Sequence, residues 1–274
     1  MKIDFGNKNK KLLIIAVMLL IIGQSLIGSI SLEVLFNLTA LQIIFAGIFI
    51  SVFVSFPMTT LSDTLRITKE SFLKEIDYAE DIHKIHSLAV KVKKDGLLSI
   101  QSDIDREEDI FLKDGMILLN DYKKSEVIKD ILQKDIESRE TNLFKPYNVF
   151  KMISHVAPSL GLIGTLVGLI GLLSNINQPY EIMNNMAAAL VSTLYGSLIA
   201  NFIAVPIMVR IKEYIDKNVL RYNIITEGIL LIAQNDSARN VFDKMNVMLK
   251  EGERLQYPGN GMNERNSQLH ELKI

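Results

Sequence analysis

The fold is decided by residues 152–209. They read MISHVAPSLGLIGTLVGLIGLLSNINQPY from Met152 to Tyr180 and, after Glu181, IMNNMAAALVSTLYGSLIANFIAVPIMV from Ile182 to Val209. Neither stretch holds Asp, Glu, Lys or Arg, and each exceeds the roughly 18–20 apolar residues needed to cross a bilayer as a helix. Working outward, residues 12–32 and 34–62 are also free of charged side chains. The averages of the 274-residue chain, 49% hydrophobic and 22% charged with net charge −1, hide this segregation. They describe four apolar spans and separate charged segments, which argues against a soluble enzyme. The absence of Cys excludes a disulfide framework, a thiolate metal site and a cysteine nucleophile. A near-neutral, segregated charge gives no case for nucleic-acid binding. No His-Glu zinc motif and no phosphate-binding glycine loop is present, so catalysis is not expected.

Positive charge sets orientation, because Lys and Arg near membrane helices are retained on the cytoplasmic side. Of the 30, four lie in the N-terminal arm (Lys2, Lys8, Lys10, Lys11), 16 between Arg66 and Lys151, and 10 from Arg210 onward. None falls in the connections Ser31 to Ala40 or Ser174 to Asn185. The expectation is an all-α integral membrane protein with four transmembrane helices and both termini cytoplasmic, spanning about 12–30, 41–57, 153–175 and 186–209. An arm followed by an apolar run also describes a signal peptide, but Ser29-Ile30-Ser31 is a weak cleavage site and the run is long. The domains read as a cytoplasmic arm (1–11), transmembrane helices 1 and 2 (12–57), a cytoplasmic helical domain (58–151), transmembrane helices 3 and 4 (152–209), a cytoplasmic helical extension (210–256) and a disordered tail (257–274). Within 58–151, apolar residues recur at helical spacing, with breaks expected at Asp95-Gly96, Asp114-Gly115 and Pro146. After residue 234, a short helix is expected over about Ser237 to Lys250.

Spans three and four carry small residues along one side: Gly161, Gly164, Gly168 and Gly171 in one, Ala189, Ser192, Thr193, Gly196 and Ala200 in the other. Such stripes let helix backbones approach closely in lipid. Thr165 and Thr193 lie on these sides, about ten and eight residues from the outer helix ends, and so at similar depth at ~1.5 Å rise per residue. The ordinary use of such a hydroxyl is a bond to its own helix carbonyl four residues back. No carboxylate or basic group lies in any span, and His155 is the one titratable candidate, at the inner edge of span three. An ion path through this chain therefore needs a carboxylate from a partner.

The run Val156-Ala157-Pro158-Ser159-Leu160-Gly161-Leu162-Ile163-Gly164-Thr165-Leu166-Val167-Gly168-Leu169, with Ala187 to Leu190, Ser192-Thr193-Leu194-Tyr195-Gly196 and Ala200 to Pro206, resembles the MotA/PomA stator subunits of the bacterial flagellar motor. The wider group includes TolQ and ExbB, whose three spans fit this chain less well. Phe36 to Ala40, Phe56-Pro57, Lys93 to Leu98 and Glu227-Gly228 extend the similarity over most of the chain.

The resemblance implies a bacterial inner-membrane protein forming a homopentamer in the lipid bilayer. That ring surrounds a MotB/PomB-like single-span partner, which supplies the essential Asp, and ion flow turns it against a FliG-like rotor protein. It places Pro158, Pro206, Thr165, Thr193 and Tyr195 on the ion pathway, Gly161, Gly164, Gly168 and Gly196 in helix packing, and Lys93, Lys94 and Asp103 at the rotor contact. It implies no cofactor beyond transported Na+ or H+, with Na+ favoured by the threonines at 165 and 193. Gln101 stands where the family usually has an acid, and Asp103, Asp105, Glu107, Glu108 and Asp109 are near enough to substitute. Two other functions are compatible with the residues: an energising subunit of a TolQ/ExbB-like rotary envelope or defence complex, and a structural scaffold held by its glycine stripes.

Overall fold

The computed structural model describes residues 36–121, 124–174 and 179–258, together with positions 17, 18 and 24. The expected first span (12–30) and most of the expected tail lie outside the described residues. Among the described residues every regular element is helical, in agreement with the all-α reading. In chain order these are α1 (Leu38–Ser55), α2 (Met58–Leu73), α3 (Tyr78–Asp95), a 3-10 turn (Leu97–Ile100), α4 (Gln101–Arg106), α5 (Ile110–Asn120) and α6 (Ser125–Ser174). There follow α7 (Pro179–Leu198), a π-helical turn (Ile199–Ala204), α8 (Val205–Ala233), α9 (Ala238–Val247) and a last 3-10 turn (Glu251–Glu253). Among the described residues three helical stretches are long and apolar enough to cross a membrane: Leu38–Ser55, Ser125–Ser174 and Asn185–Ala233.

Two compact units result, Met1–Ser62 with Asn148–Met208, and Asp63–Tyr147 with Val209–Ile274. The first is the apolar unit. Its α1 starts where the Asn37 side chain accepts the Ala40 N–H at 2.9 Å. It stops at Phe56, extended at φ −127° and ψ 138° because Pro57 follows. Helix α1 is thus offset a few residues toward the N-terminus of the expected 41–57 segment. The connection expected to run from Ser174 to Asn185 is shorter, since α7 already begins at Pro179, whose missing N–H costs nothing in a first helical turn.

The charged unit has its own core, in which Ile82, Ile85, Phe111, Leu112, Ile128, Leu132, Ile225, Ile229, Phe242 and Met245 are essentially inaccessible. Helix α3 opens on Asp77, which accepts the Ala79 N–H at 2.9 Å, carries Glu80 and Asp81 in its first turn, and closes with Lys93 and Lys94 before Gly96 at φ 83°. That charge order complements the helix dipole. The break at Asp95-Gly96 is present, whereas those at Asp114-Gly115 and Pro146 are not. Gly115 lies inside α5 because a Cβ there would stand 3.3 Å from Ile229 Cγ1, so the glycine serves close approach. Pro146 is buried within α6. It forfeits one backbone bond, a cost of about 3 kcal/mol, against the burial of Ile128, Leu132, Ile136 and Val149 along the same helix. The last helix, expected over Ser237 to Lys250, spans Ala238–Val247, with Ser237 Oγ accepting the Asn240 N–H at 3.2 Å.

Candidate functional site: a hydroxyl cluster between two glycine-faced helices

Helices α6 and α7 meet along their small residues. A Cβ on Gly161 would lie 2.9 Å from the Ser192 carbonyl oxygen and 3.0 Å from Thr193 Cα, and one on Gly164 would lie 2.6 Å from Ser192 Cβ. On Gly168 it would lie 2.6 Å from Ala189 Cβ, and on Gly196 it would strike the Ala157 carbonyl. Larger side chains would force the helices apart, because these neighbours are backbone or short, inflexible groups. On the other side, Gly47 brings α1 against Leu160.

That closeness lets side chains on one helix reach carbonyls of the other. Thr165 Oγ1 lies 3.2 Å from the Gly161 carbonyl of its own helix and 3.1 Å from the Ala189 carbonyl of α7, and it is hydrogen-bonded with Thr193 Oγ1. Thr193 Oγ1 also lies 3.2 Å from the Gly161 carbonyl, so its bond crosses between helices instead of turning back on α7. Ser192 Oγ lies 2.7 Å from the Ala189 carbonyl and 3.1 Å from that of Gly161. Five neutral oxygens thus converge, from three hydroxyls and two main-chain carbonyls. Three hydroxyl protons serve these six contacts, so lone pairs remain available on the cluster. Such a set suits a hard cation that exchanges water for oxygen ligands, and it brings no charge of its own. Ser192 is 1% exposed, Thr165 half-buried and Thr193 exposed in the single chain.

Ser192 is the member that sequence reading did not assign to the ion path. In the sequence it is one more small residue, although its position next to Thr193 and four before Gly196 puts a hydroxyl on the seam. Pro158 lies in α6 three residues before Gly161 and is half-buried. Pro206 is exposed in α8 and follows the π turn Ile199–Ala204. A proline ring clashes with the carbonyl four residues back, here that of Phe202 inside the turn, and the wider π geometry relieves that crowding. Tyr195 has a tying role: its phenol oxygen accepts the Asn37 N–H at 3.2 Å, joining α7 to the start of α1.

In the charged unit, Lys93 and Lys94 are exposed at the end of α3. Lys93 Nζ donates to the Asn235 carbonyl at 2.8 Å and to Asn235 Oδ1 at 2.9 Å. Asp103 accepts from Lys91 Nζ at 2.6 Å. Two acids offered by the sequence as substitutes at the rotor contact are committed internally. Glu107 pairs with Lys84 at 3.4 Å and accepts the Asp109 N–H at 3.0 Å. Asp109 caps α5 through the Leu112 N–H at 2.9 Å and takes Arg221 Nη1 at 2.7 Å. Asp105 and Glu108 remain exposed.

Arg221 also grips Asp81 with two bonds of 2.6 and 2.8 Å, which makes a triad joining α3, α5 and α8. Burial lifts the Asp81 carboxyl above its usual range even against that guanidinium. Burial also acts upward on Asp109, but the Leu112 N–H and Arg221 outweigh it and hold that carboxyl below its usual range. The Arg221 guanidinium is held more firmly protonated by its bond to Asp81.

A glycine-faced helix pair carrying a neutral oxygen cluster, in a chain that also has a charged helical unit, has the features of an ion-channel subunit. The sequence signature of the MotA/TolQ/ExbB proton channel family matches residues 103–224. PomA of Vibrio alginolyticus, a chemotaxis protein, is 32% identical over 236 residues, covering 85% of this chain and 91% of its own. YtxD of Bacillus subtilis is 34% identical over 212 residues, 77% of this chain and 78% of its own. The flagellar MotAB stator complex from Bacillus subtilis superposes with a TM-score of 0.78 at 26% identity, over 88% of this chain and 95% of that one. The chain belongs to the MotA/PomA family of stator subunits.

Proposed function

We propose that this chain is the channel-wall and torque-generating subunit of a bacterial flagellar stator, working with a MotB-like partner that carries the ion-binding carboxylate. The observation that carries this reading is the cluster of Thr165, Thr193 and Ser192 on the Gly161 and Ala189 carbonyls. It offers oxygens without charge, so a mobile cation is bound there only when a carboxylate comes alongside. Four charge-free stretches support four spans, the one-sided distribution of Lys and Arg supports cytoplasmic termini, and membership of the MotA/PomA family supports the inner membrane. Five copies around the partner dimer leave the α6 and α7 faces lining the partner's helix. Lys93, with Lys94, faces an acidic group on a FliG-like rotor protein, and Asp103 acts on that surface through its pair with Lys91.

The transported ion is Na+. A proton needs only the carboxylate and a hydrogen-bonded path, whereas Na+ needs several oxygens to replace its water. The test is co-expression with the MotB-like partner in a stator-deleted host, with swimming speed measured against sodium concentration and against a protonophore. Speed is expected to rise with sodium and to survive the protonophore, and Thr165→Ala is expected to weaken the sodium dependence. Swimming that ignores sodium and stops with the protonophore identifies a proton motor instead.

A further inference from the structure

Helix α8 ends in a Schellman motif: the Asp236 N–H donates to the Leu231 carbonyl at 3.0 Å and the Asn235 N–H to the Ile232 carbonyl at 2.9 Å. The left-handed position in that motif is held by Asn235, at φ 58°, the one non-glycine positive φ among the described residues. Glycine normally occupies this position, because a side chain there has a steric cost. Here the side chain has a use, since the Asn235 carbonyl and Oδ1 both point at Lys93 Nζ, at 2.8 and 2.9 Å. Lys93 and Asn235 stand 142 residues apart in sequence. The contact therefore fastens the last turn of α3 to the end of α8.

We propose that Asn235 is a positioning residue for Lys93, holding the ammonium by two of its three N–H groups and leaving the third for an acidic group on the rotor. This rests on the reading of Lys93 as a rotor contact. An unheld lysine has four rotatable bonds and loses that freedom when it meets its partner, which costs affinity. Two helix C-termini, each with a partial negative charge, meet at the ammonium and keep it in place without neutralising it. An acidic side chain at 235 would neutralise it, and glycine would keep the backbone motif while removing one acceptor.

The experiment uses the full-length chain in its assembled complex in native membranes, and reads the rate at which an amine-acetylating reagent modifies Lys93 relative to exposed Lys94, by mass spectrometry. Asn235→Gly is expected to speed Lys93 labelling by about two- to fivefold, the range of an exposed charge-assisted contact, and Asn235→Asp to slow it by a similar factor. High-load torque per stator is expected to fall in Asn235→Gly with stator recruitment unchanged, and Lys93→Arg is expected to retain most torque. Labelling ratios that do not move in either variant overturn the latch. Ratios that move with torque intact overturn the positioning role. If Lys93→Glu leaves torque unchanged while the labelling series behaves as stated, it is the rotor-contact reading that fails and the latch that stands.

Discussion

The two compact units bury polar groups by opposite means. In the apolar unit Thr165, Ser192 and Thr193 reach carbonyls of the facing helix, and no charged side chain lies between 152 and 180 or between 182 and 209. In the charged unit Arg221 holds Asp81 and Asp109, whose side chains are 5% and 25% exposed. The difference follows from what each interior can draw on. Lipid supplies no hydrophobic drive between helices, so contact comes from close backbones, and close backbones require glycine. Water around the charged unit drives aliphatic burial directly, and the ion triad is tolerated because each partner is matched.

Substitutions can break this contrast, and the largest effect is expected at the glycine seam. Gly196→Val would push a side chain into the Ala157 carbonyl, which cannot move without shifting α6. No complex with the MotB-like partner should be recovered by affinity purification. Gly252→Ala, where nothing lies within 4 Å of the added Cβ, should purify normally.

Next comes the triad. Arg221→Met leaves Asp81 buried without a counter-ion and should cost about 3–5 kcal/mol in the thermal or denaturant unfolding of the charged unit, with Asp81→Asn restoring part of it. Gly228→Ala places a Cβ 2.6 Å from Ile85 Cγ2 and from Met245 Sδ. Overpacking of about 1–3 kcal/mol is expected, unlike the outright failure at Gly196, because the neighbours are flexible side chains.

The smallest effect concerns pH. Because the folded Asp109 carboxyl titrates below its unfolded value, its stabilisation is present above the ordinary carboxylate range near ~3.9 and is lost as pH falls through the depressed value. Asp81, shifted upward, works with the opposite sign. Unfolding midpoints followed from neutral to acid pH should therefore fall less steeply in Asp109→Asn than in the parent.

How much of this could be read from the sequence differs between the units for the same reason. The small residues of spans three and four share a side by helical periodicity alone, so 161, 164 and 168 were legible as one face. Their contacts on α7 were not. Ser192 looked like one more small residue because its importance lies in which carbonyls it reaches, a three-dimensional fact. Gly115 and Pro146 look like breaks in the sequence, but local propensity is outweighed by packing against Ile229 in the first case and by the continuous buried face of α6 in the second. The pairs Lys93–Asn235 and Arg221–Asp81 link residues 142 and 140 positions apart. Nothing in either local pattern distinguishes them from solvated charge.

The π turn at Ile199–Ala204 has a consequence for how this helix tolerates length changes. A π turn is what one surplus residue leaves behind in an α-helix. Deleting a single residue there would restore ordinary winding and leave Pro206 in phase with Thr193, whereas rewinding the turn as α-helix with every residue kept would rotate Pro206 by about 100°. The face holding the hydroxyl cluster and the face holding Pro206 are thus phased by one amino acid. Closing the π turn without removing a residue would turn the two faces against each other while leaving the composition untouched.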